Sequence, residues 1–227
     1  MTDSNEAKQP YALTLYYFNI PGKGSCIRLL CKYCGLNLKD YRFSSRDEFI
    51  KMKESGKLTF GQVPAIEITK SNGESNMLFQ SAAIMRFLGK ISKKGLYPTD
   101  PVAASVVDMI MDQEADAFQG LRVAKYKDRF GFKASTVLTE DVAKGVIATI
   151  NAEIIPRHLG YIEALLKKGA TGWLAGTKSV SVADFFWYPT FKALNDGWSG
   201  NPAILKGFPE IQKFMARFEK ETGLIGE

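Results

Sequence analysis

Apolar and polar residues follow one rhythm in the first part of this chain and another in the rest. Residues 12–18, Ala-Leu-Thr-Leu-Tyr-Tyr-Phe, are almost continuously apolar or aromatic, which predicts a buried strand. Pro21, Gly22 and Gly24 break the run into a loop. From Ser25 onward, Ile27, Leu29, Leu30, Tyr33 and Cys34 suit one helical segment, and Gly35 is a natural stop. Residues 38–43 predict a second short strand, 46–55 a polar and irregular helix, and 63–68 a third strand. Residues 71–75 read as a turn, with 77–79 a fourth strand paired across it. A helix over 81–91 follows, with Ile84, Phe87, Leu88 and Ile91 on one side.

The order is strand–helix–strand, then strand–strand–helix. The first unit implies a right-handed parallel crossover, and the hairpin adds an antiparallel strand. This is the order of a thioredoxin-like fold. Residues 93–101, rich in lysine, glycine and proline, read as a linker. Beyond it only helical periodicity is seen, over 102–127, 139–168, 182–194 and 208–222. The fold class predicted is an N-terminal thioredoxin-like α/β domain over 11-92 and a C-terminal all-α domain over 102-227. No internal repeat is evident.

Composition changes this picture little. With 227 residues and 45% hydrophobic content, two modest cores are within reach. The net charge is +6, but the 30 basic and 24 acidic residues are interspersed without a dense basic stripe, so no nucleic acid partner is expected. No run approaches the roughly 18 apolar residues of a membrane span, so no membrane partner is expected either. Residues 1–10 look like a mobile polar tail carrying Asp3 and Glu6, without a signal-peptide core. Three cysteines, Cys26, Cys31 and Cys34, crowd into nine residues and make a poor disulfide framework. A cytoplasmic location is the expectation.

The chemistry concentrates in short motifs. Leu15-Tyr16-Tyr17-Phe18-Asn19, followed by Gly22-Lys23 and Ile27-Arg28, resembles the start of sigma-class glutathione transferases, with the mu, pi and alpha classes sharing the theme. The resemblance implies that Tyr17, immediately before Phe-Asn, is catalytic. A thiol is a weak nucleophile and its thiolate a strong one, and a hydroxyl donating to the sulfur stabilises the anion. Glutathione is the implied co-substrate, and no metal is required. By the same resemblance the Val63–Pro64 bond is cis, the Val63 backbone pairs with the cysteinyl part of glutathione, and Gln62 and Pro64 belong to the glutathione site. Gln80 and Ser81 hold its γ-glutamyl end, where Ser81 is expected to cap a helix whose free N–H groups suit a carboxylate. Lys23 stands where the family places an arginine near the thiolate, and Phe49 and Lys53 stand for its tryptophan and lysine contacts. Asp108, Asp112 and Asp116 recur every four residues along one helix side. Asp116 matches an acid that reaches glutathione's amine across a homodimer interface joining the α/β domain of one chain to the helices of the other. Ser181-Val182-Ala183-Asp184 is a capping-box pattern that serves folding.

The implied activity is conjugation of glutathione to hydrophobic electrophiles, a detoxification chemistry. Alternatives are a glutathione-dependent isomerase of the prostaglandin D synthase kind, or a non-catalytic ligand-binding or structural family member. A cysteine-based, glutaredoxin-like enzyme is a further reading, since Cys31-x-x-Cys34 has redox spacing. That pair lies well inside the predicted helix, away from the N-terminus that would favour a thiolate.

Overall fold

The computed structural model describes residues 11–133 and 137–225. The expected tail at 1–10 lies outside them. The chain divides between Gly95 and Leu96 into two compact units.

The first unit is a four-stranded sheet with helices. Strand β1 (Tyr11–Phe18) leads through a 3₁₀ turn (Gly22–Gly24) to α1 (Ser25–Cys34), then β2 (Leu38–Phe43), α2 (Arg46–Glu54), β3 (Ala65–Lys70), β4 (Ser75–Phe79) and α3 (Ser81–Ile91). Strand order is β2-β1-β3-β4; β1 and β2 are parallel, and β3 is antiparallel to both its neighbours. The apolar pattern sets the layers. Leu13 and Leu15 are fully buried, as are Ile27, Leu30, Ile84 and Leu88 of α1 and α3. Side chains alternate along a strand, so Phe18 takes the other face, its ring 5.2 Å from Phe49 of α2 and 5.6 Å from Phe43.

Three expectations shift. The third strand starts at Ala65 instead of residue 63, because Pro64 has no N–H to give to a ladder. The fourth is longer, starting at Ser75. Helix α2 is regular: Ser45 Oγ accepts the Glu48 N–H at 3.2 Å while Glu48 reaches back to the Ser44 N–H at 2.7 Å, so the helix start is capped locally.

The second unit is helical among the described residues: α4 (Pro101–Lys125), a 3₁₀ turn (Lys127–Phe130), α5 (Glu140–Thr149), α6 (Ile155–Lys168), α7 (Val182–Asn195), a 3₁₀ turn (Ile204–Gly207) and α8 (Pro209–Thr222). Helix α7 runs through its core, with Phe185, Trp187, Tyr188 and Phe191 fully buried. The Ser181–Asp184 capping box forms: the Asp184 carboxylate accepts the Ser181 N–H at 2.7 Å, the Ser181 hydroxyl at 2.8 Å and the Leu174 N–H at 2.9 Å. The single helix expected over 139–168 is instead interrupted by a π turn at Ile150–Ile154. Pro156 cannot donate an N–H, and the ladder re-registers ahead of it. Asn151 Nδ2 ties the irregular turn to the Ile147 and Ser199 carbonyls at 3.0 and 2.8 Å.

Candidate functional site

Tyr17 is the penultimate residue of β1 and is only 8% exposed. Its ring lies on the α1 side of the sheet, closely wrapped by the loop that follows. A Cβ on Gly22 would fall 2.6 Å from the Tyr17 hydroxyl, and one on Gly24 would fall 2.6 Å from the ring. Gly22 also sits at φ 44°, so glycine is required there by both space and conformation. This approach brings the Lys23 N–H to the Tyr17 oxygen at 3.0 Å. A phenol that accepts such a bond is polarised into a better donor.

Arg28 holds the loop in place. It is 7% exposed, with Nε donating to Asp40 Oδ2 at 3.0 Å, Nη1 to the Ile20 carbonyl at 2.9 Å and Nη2 to the Phe18 carbonyl at 3.2 Å. Its guanidinium carbon lies 5.7 Å from the Tyr17 ring centre. Arg42 completes the arrangement, donating to the same Asp40 oxygen at 2.6 Å and to Asn19 Oδ1 at 2.9 Å. Sequence reasoning assigned Arg28 no role. The signal was there, in one charge set within the apolar run Ile27-Arg28-Leu29-Leu30.

Strand register gathers the other candidates. Tyr16 pairs with Ala65, and Ala65 with Phe79. One step on, Tyr17 near the end of β1, Pro64 just before β3 and Gln80 just after β4 therefore lie at the same edge of the sheet. The Val63–Pro64 bond is cis, and Gln80 has φ 68°. Left-handed backbone is uncommon for a side chain other than glycine and clusters at functional positions. It also corrects the cap. Gln80 is the residue preceding α3, no side chain caps that end, and Ser81 is the first helical residue. Gln62 and Gln80 are exposed and Val63 and Ser81 half-buried, so all four are open to a ligand.

Lys53 is exposed, and its stem runs over Gly61, with Cε 2.9 Å from where a Cβ would stand, beside the segment leading to Gln62. Phe49 is half-buried between Phe18 and Phe43 and packs against Leu58, Ala65 and Phe79, so it docks α2 on the sheet. Asp116 lies on α4 in the second unit and is exposed, as is Asp112; half-buried Asp108 accepts the Tyr97 hydroxyl at 2.9 Å. His158 is also in the second unit, with Nδ1 2.7 Å from Gln113 Nε2, and burial lowers its pKa.

Burial weighs against a redox role for Cys31-x-x-Cys34. None of the three cysteines is in a disulfide. Cys31 is 1% exposed and burial pushes its pKa far up; Cys34 is also raised by burial and sits 3.1 Å from Ser92 Oγ. Both are poor thiolates. Cys26 is buried, its Sγ 3.4 Å from the Lys23 carbonyl.

Charge is less evenly spread than the interspersed pattern suggested. Residues 11–95 carry fourteen basic and six acidic side chains, while 96–225 carry fifteen of each. The sheet unit, which holds the candidate site, therefore carries the positive potential that draws an anionic ligand.

A thioredoxin-like sheet with a cradled tyrosine hydroxyl at its strand ends, in a chain that continues as an all-helical unit, defines a glutathione-transferase architecture. Comparison agrees along both halves. Residues 13–90 match the family described as glutathione S-transferase, N-terminal domain, and 133–225 match glutathione S-transferase, C-terminal domain. Glutathione S-transferase 1 of Ascaris suum is 30% identical over 205 residues, covering 90% of this chain and 88% of the relative. The chain belongs to the glutathione S-transferase family. A monomeric glutathione S-transferase of the hookworm Necator americanus superposes with a TM-score of 0.68 at 28% identity, covering 92% of each chain. A prostaglandin D synthase of Nilaparvata lugens shares the fold, with a TM-score of 0.74 at 24% identity and 92% coverage of each chain.

Proposed function

We propose that this protein is a tyrosine-type, sigma-like glutathione transferase in which the Tyr17 hydroxyl stabilises the thiolate of bound glutathione. The observation that carries the reading is the Tyr17 hydroxyl held by the Lys23 N–H at 3.0 Å, on the sheet edge it shares with Pro64 and Gln80. Two strand spacings, about 10 Å, separate β1 from β4. That is about the reach of an extended tripeptide. In this reading Gln62 and Val63 meet the cysteinyl part, Gln80 and Ser81 the γ-glutamyl end, and Lys23 and Lys53 add positive potential. Residues 11-92 bind glutathione, and 102-227 contribute the surface for the electrophile. The thiol proton leaves to solvent. The sulfur lone pair then forms the S–C bond, and the displaced electrons go to the leaving group or the acceptor atom of the electrophile. The protein acts in the cytoplasm as a homodimer.

Tyr17→Phe removes only the hydroxyl. Turnover with a standard electrophile should fall by roughly one to three decades, as for loss of one oxyanion donor. Glutathione affinity should change little, and the pH at which thiolate absorbance appears in the binary complex should rise. Tyr16→Phe should leave turnover within about twofold, because its side chain points to the other face. Activity lost in Tyr16→Phe and kept in Tyr17→Phe would sink the assignment.

A further inference from the structure

The face of the sheet away from Tyr17 carries a closed polar cluster that the proposed chemistry does not use. Lys57 Nζ donates to Tyr16 Oη at 2.8 Å and to Glu67 Oε2 at 3.0 Å, and Tyr16 Oη donates to the same Glu67 oxygen at 2.6 Å. The Lys57 ammonium also sits 4.5 Å from the Tyr16 ring centre, and Tyr41 packs on that ring at 5.2 Å. Each member comes from a different part of the chain: Tyr16 from β1, Glu67 from β3, and Lys57 from the loop between α2 and β3.

Those three segments carry the candidate site. Tyr16 is followed by Tyr17, Glu67 lies three residues after Pro64, and Lys57 lies five before Gln62. Residues 55–64 have no helix or strand of their own to fix them, and they contain Gly56 and Gly61 at φ 79° and 59°. Leu58, 3% exposed, ties the loop to the apolar cluster on the sheet, and the Phe60 ring lies 5.3 Å from Phe79 but is 60% exposed. Apolar contacts of this kind resist lifting but are non-directional and tolerate sliding. Charged, hydrogen-bonded contacts to two neighbouring strands do not. Burial holds the Tyr16 phenol above its ordinary pKa, the Tyr16 hydrogen bond holds Glu67 below and Lys57 above theirs, and the cluster stays neutral-phenol, carboxylate and ammonium through the neutral range.

We propose that Lys57, Tyr16 and Glu67 act as positioning residues. Together they lock the α2–β3 loop onto β1 and β3, so that the Gln62–Val63 backbone is presented to glutathione in register with Tyr17. The proposal rests on the glutathione-transferase reading for its ligand, but not for its geometry. None of the three touches the reacting atoms, so the expected effect is on binding and not on chemistry.

Lys57→Met keeps the aliphatic stem and removes the ammonium. Glutathione Kd by titration calorimetry and glutathione KM should both rise about three- to tenfold, with kcat within about twofold. Amide hydrogen exchange at 61–63 should accelerate in the unliganded protein. Lys57→Arg, which can still bridge two oxygens, should recover most of the affinity. Glu67→Gln is the second variant should Lys57→Met fold poorly, with the same expected direction. A folded Lys57→Met with unchanged Kd and unchanged exchange would overturn the clamp, as would a loss confined to kcat. Wild-type protein that fails to bind glutathione would instead overturn the functional reading, and the exchange measurement would still decide on the clamp.

Discussion

At the scale of single residues, adjacent tyrosines in this chain do unrelated things. Period-two alternation puts Tyr17 against the glycine loop and Tyr16 against Lys57 and Glu67. A one-residue slip would exchange a candidate thiolate donor for a structural phenol. Arg28 decides how firmly Tyr17 is held, since its fork spans Asp40, the last carbonyl of β1 and the Ile20 carbonyl of the loop. Arg28→Lys keeps the charge but cannot make all three bonds at once. Its expected cost is about 1–3 kcal/mol, the range for buried polar groups left unmet. Urea unfolding should show a lower midpoint with an unchanged slope, and turnover should fall as the Lys23 N–H loses its fixed place beside Tyr17. An unaltered midpoint would show that the loop is held by its glycines alone.

At the scale of elements, two helix starts show how differently an N-terminus can be used. Helix α7 is closed by its own box, with Asp184 fully buried. Helix α3 has no side-chain cap and begins after a left-handed Gln80, which leaves its first N–H groups for an anion. Burial holds the Asp184 carboxyl up at about 6, from 3.8, even though three donors point at it. A carboxyl raised in the folded state stabilises the fold most when protonated, and that contribution is lost as the pH rises through 6. Asp184→Asn lacks this titration. The stability advantage of the wild type over Asp184→Asn should therefore be larger at pH 5 than at pH 7.5, by on the order of 1 kcal/mol. Paired urea titrations at the two pH values measure it, and a gap independent of pH would mean that the donors keep Asp184 ionised at ordinary acidity.

At the scale of the whole molecule, the open matter is assembly. Helices α4 and α6 of the helical unit enclose a largely apolar groove of about 370 Å³. At its rim Met109, Tyr161 and Leu165 are 55%, 53% and 40% exposed. These exposed apolar side chains offer a surface to a partner. We take a second copy of the chain to be its occupant, in keeping with the proposed homodimer, while the monomeric hookworm relative shows that the fold does not require one. Sedimentation at micromolar concentration should give about twice the 25.2 kDa of the chain, and Met109→Glu should shift it toward the monomer. A wild type that sediments as a monomer would remove the role given to a partner's acid at Asp116.

Local pattern and short motifs carried far in this chain. The strand of 12–18, the stop at Gly35, the linker over 93–101, the capping box at Ser181 and the helical rhythm beyond 102 are all products of neighbouring residues, so they can be read from neighbours. The motif around Tyr17 pointed to the family for the same reason, because loop, tyrosine and helix start are contiguous. What needed the folded chain were contacts across sequence. The π turn at Ile150–Ile154 is tied across the fold by a hydrogen bond from Asn151 to Ser199, and the left-handed Gln80 lies where β4 meets α3. Arg28 reaches back to β1 and forward to Asp40, and Lys57 reaches two strands at once. No local spacing announces such pairings, because the partners are chosen by sheet register and by the need of buried charge to find an opposite charge and a carbonyl. Sequence determined which elements form and pointed to Tyr17 as the candidate, and the tertiary structure decided which charged side chains hold that tyrosine still.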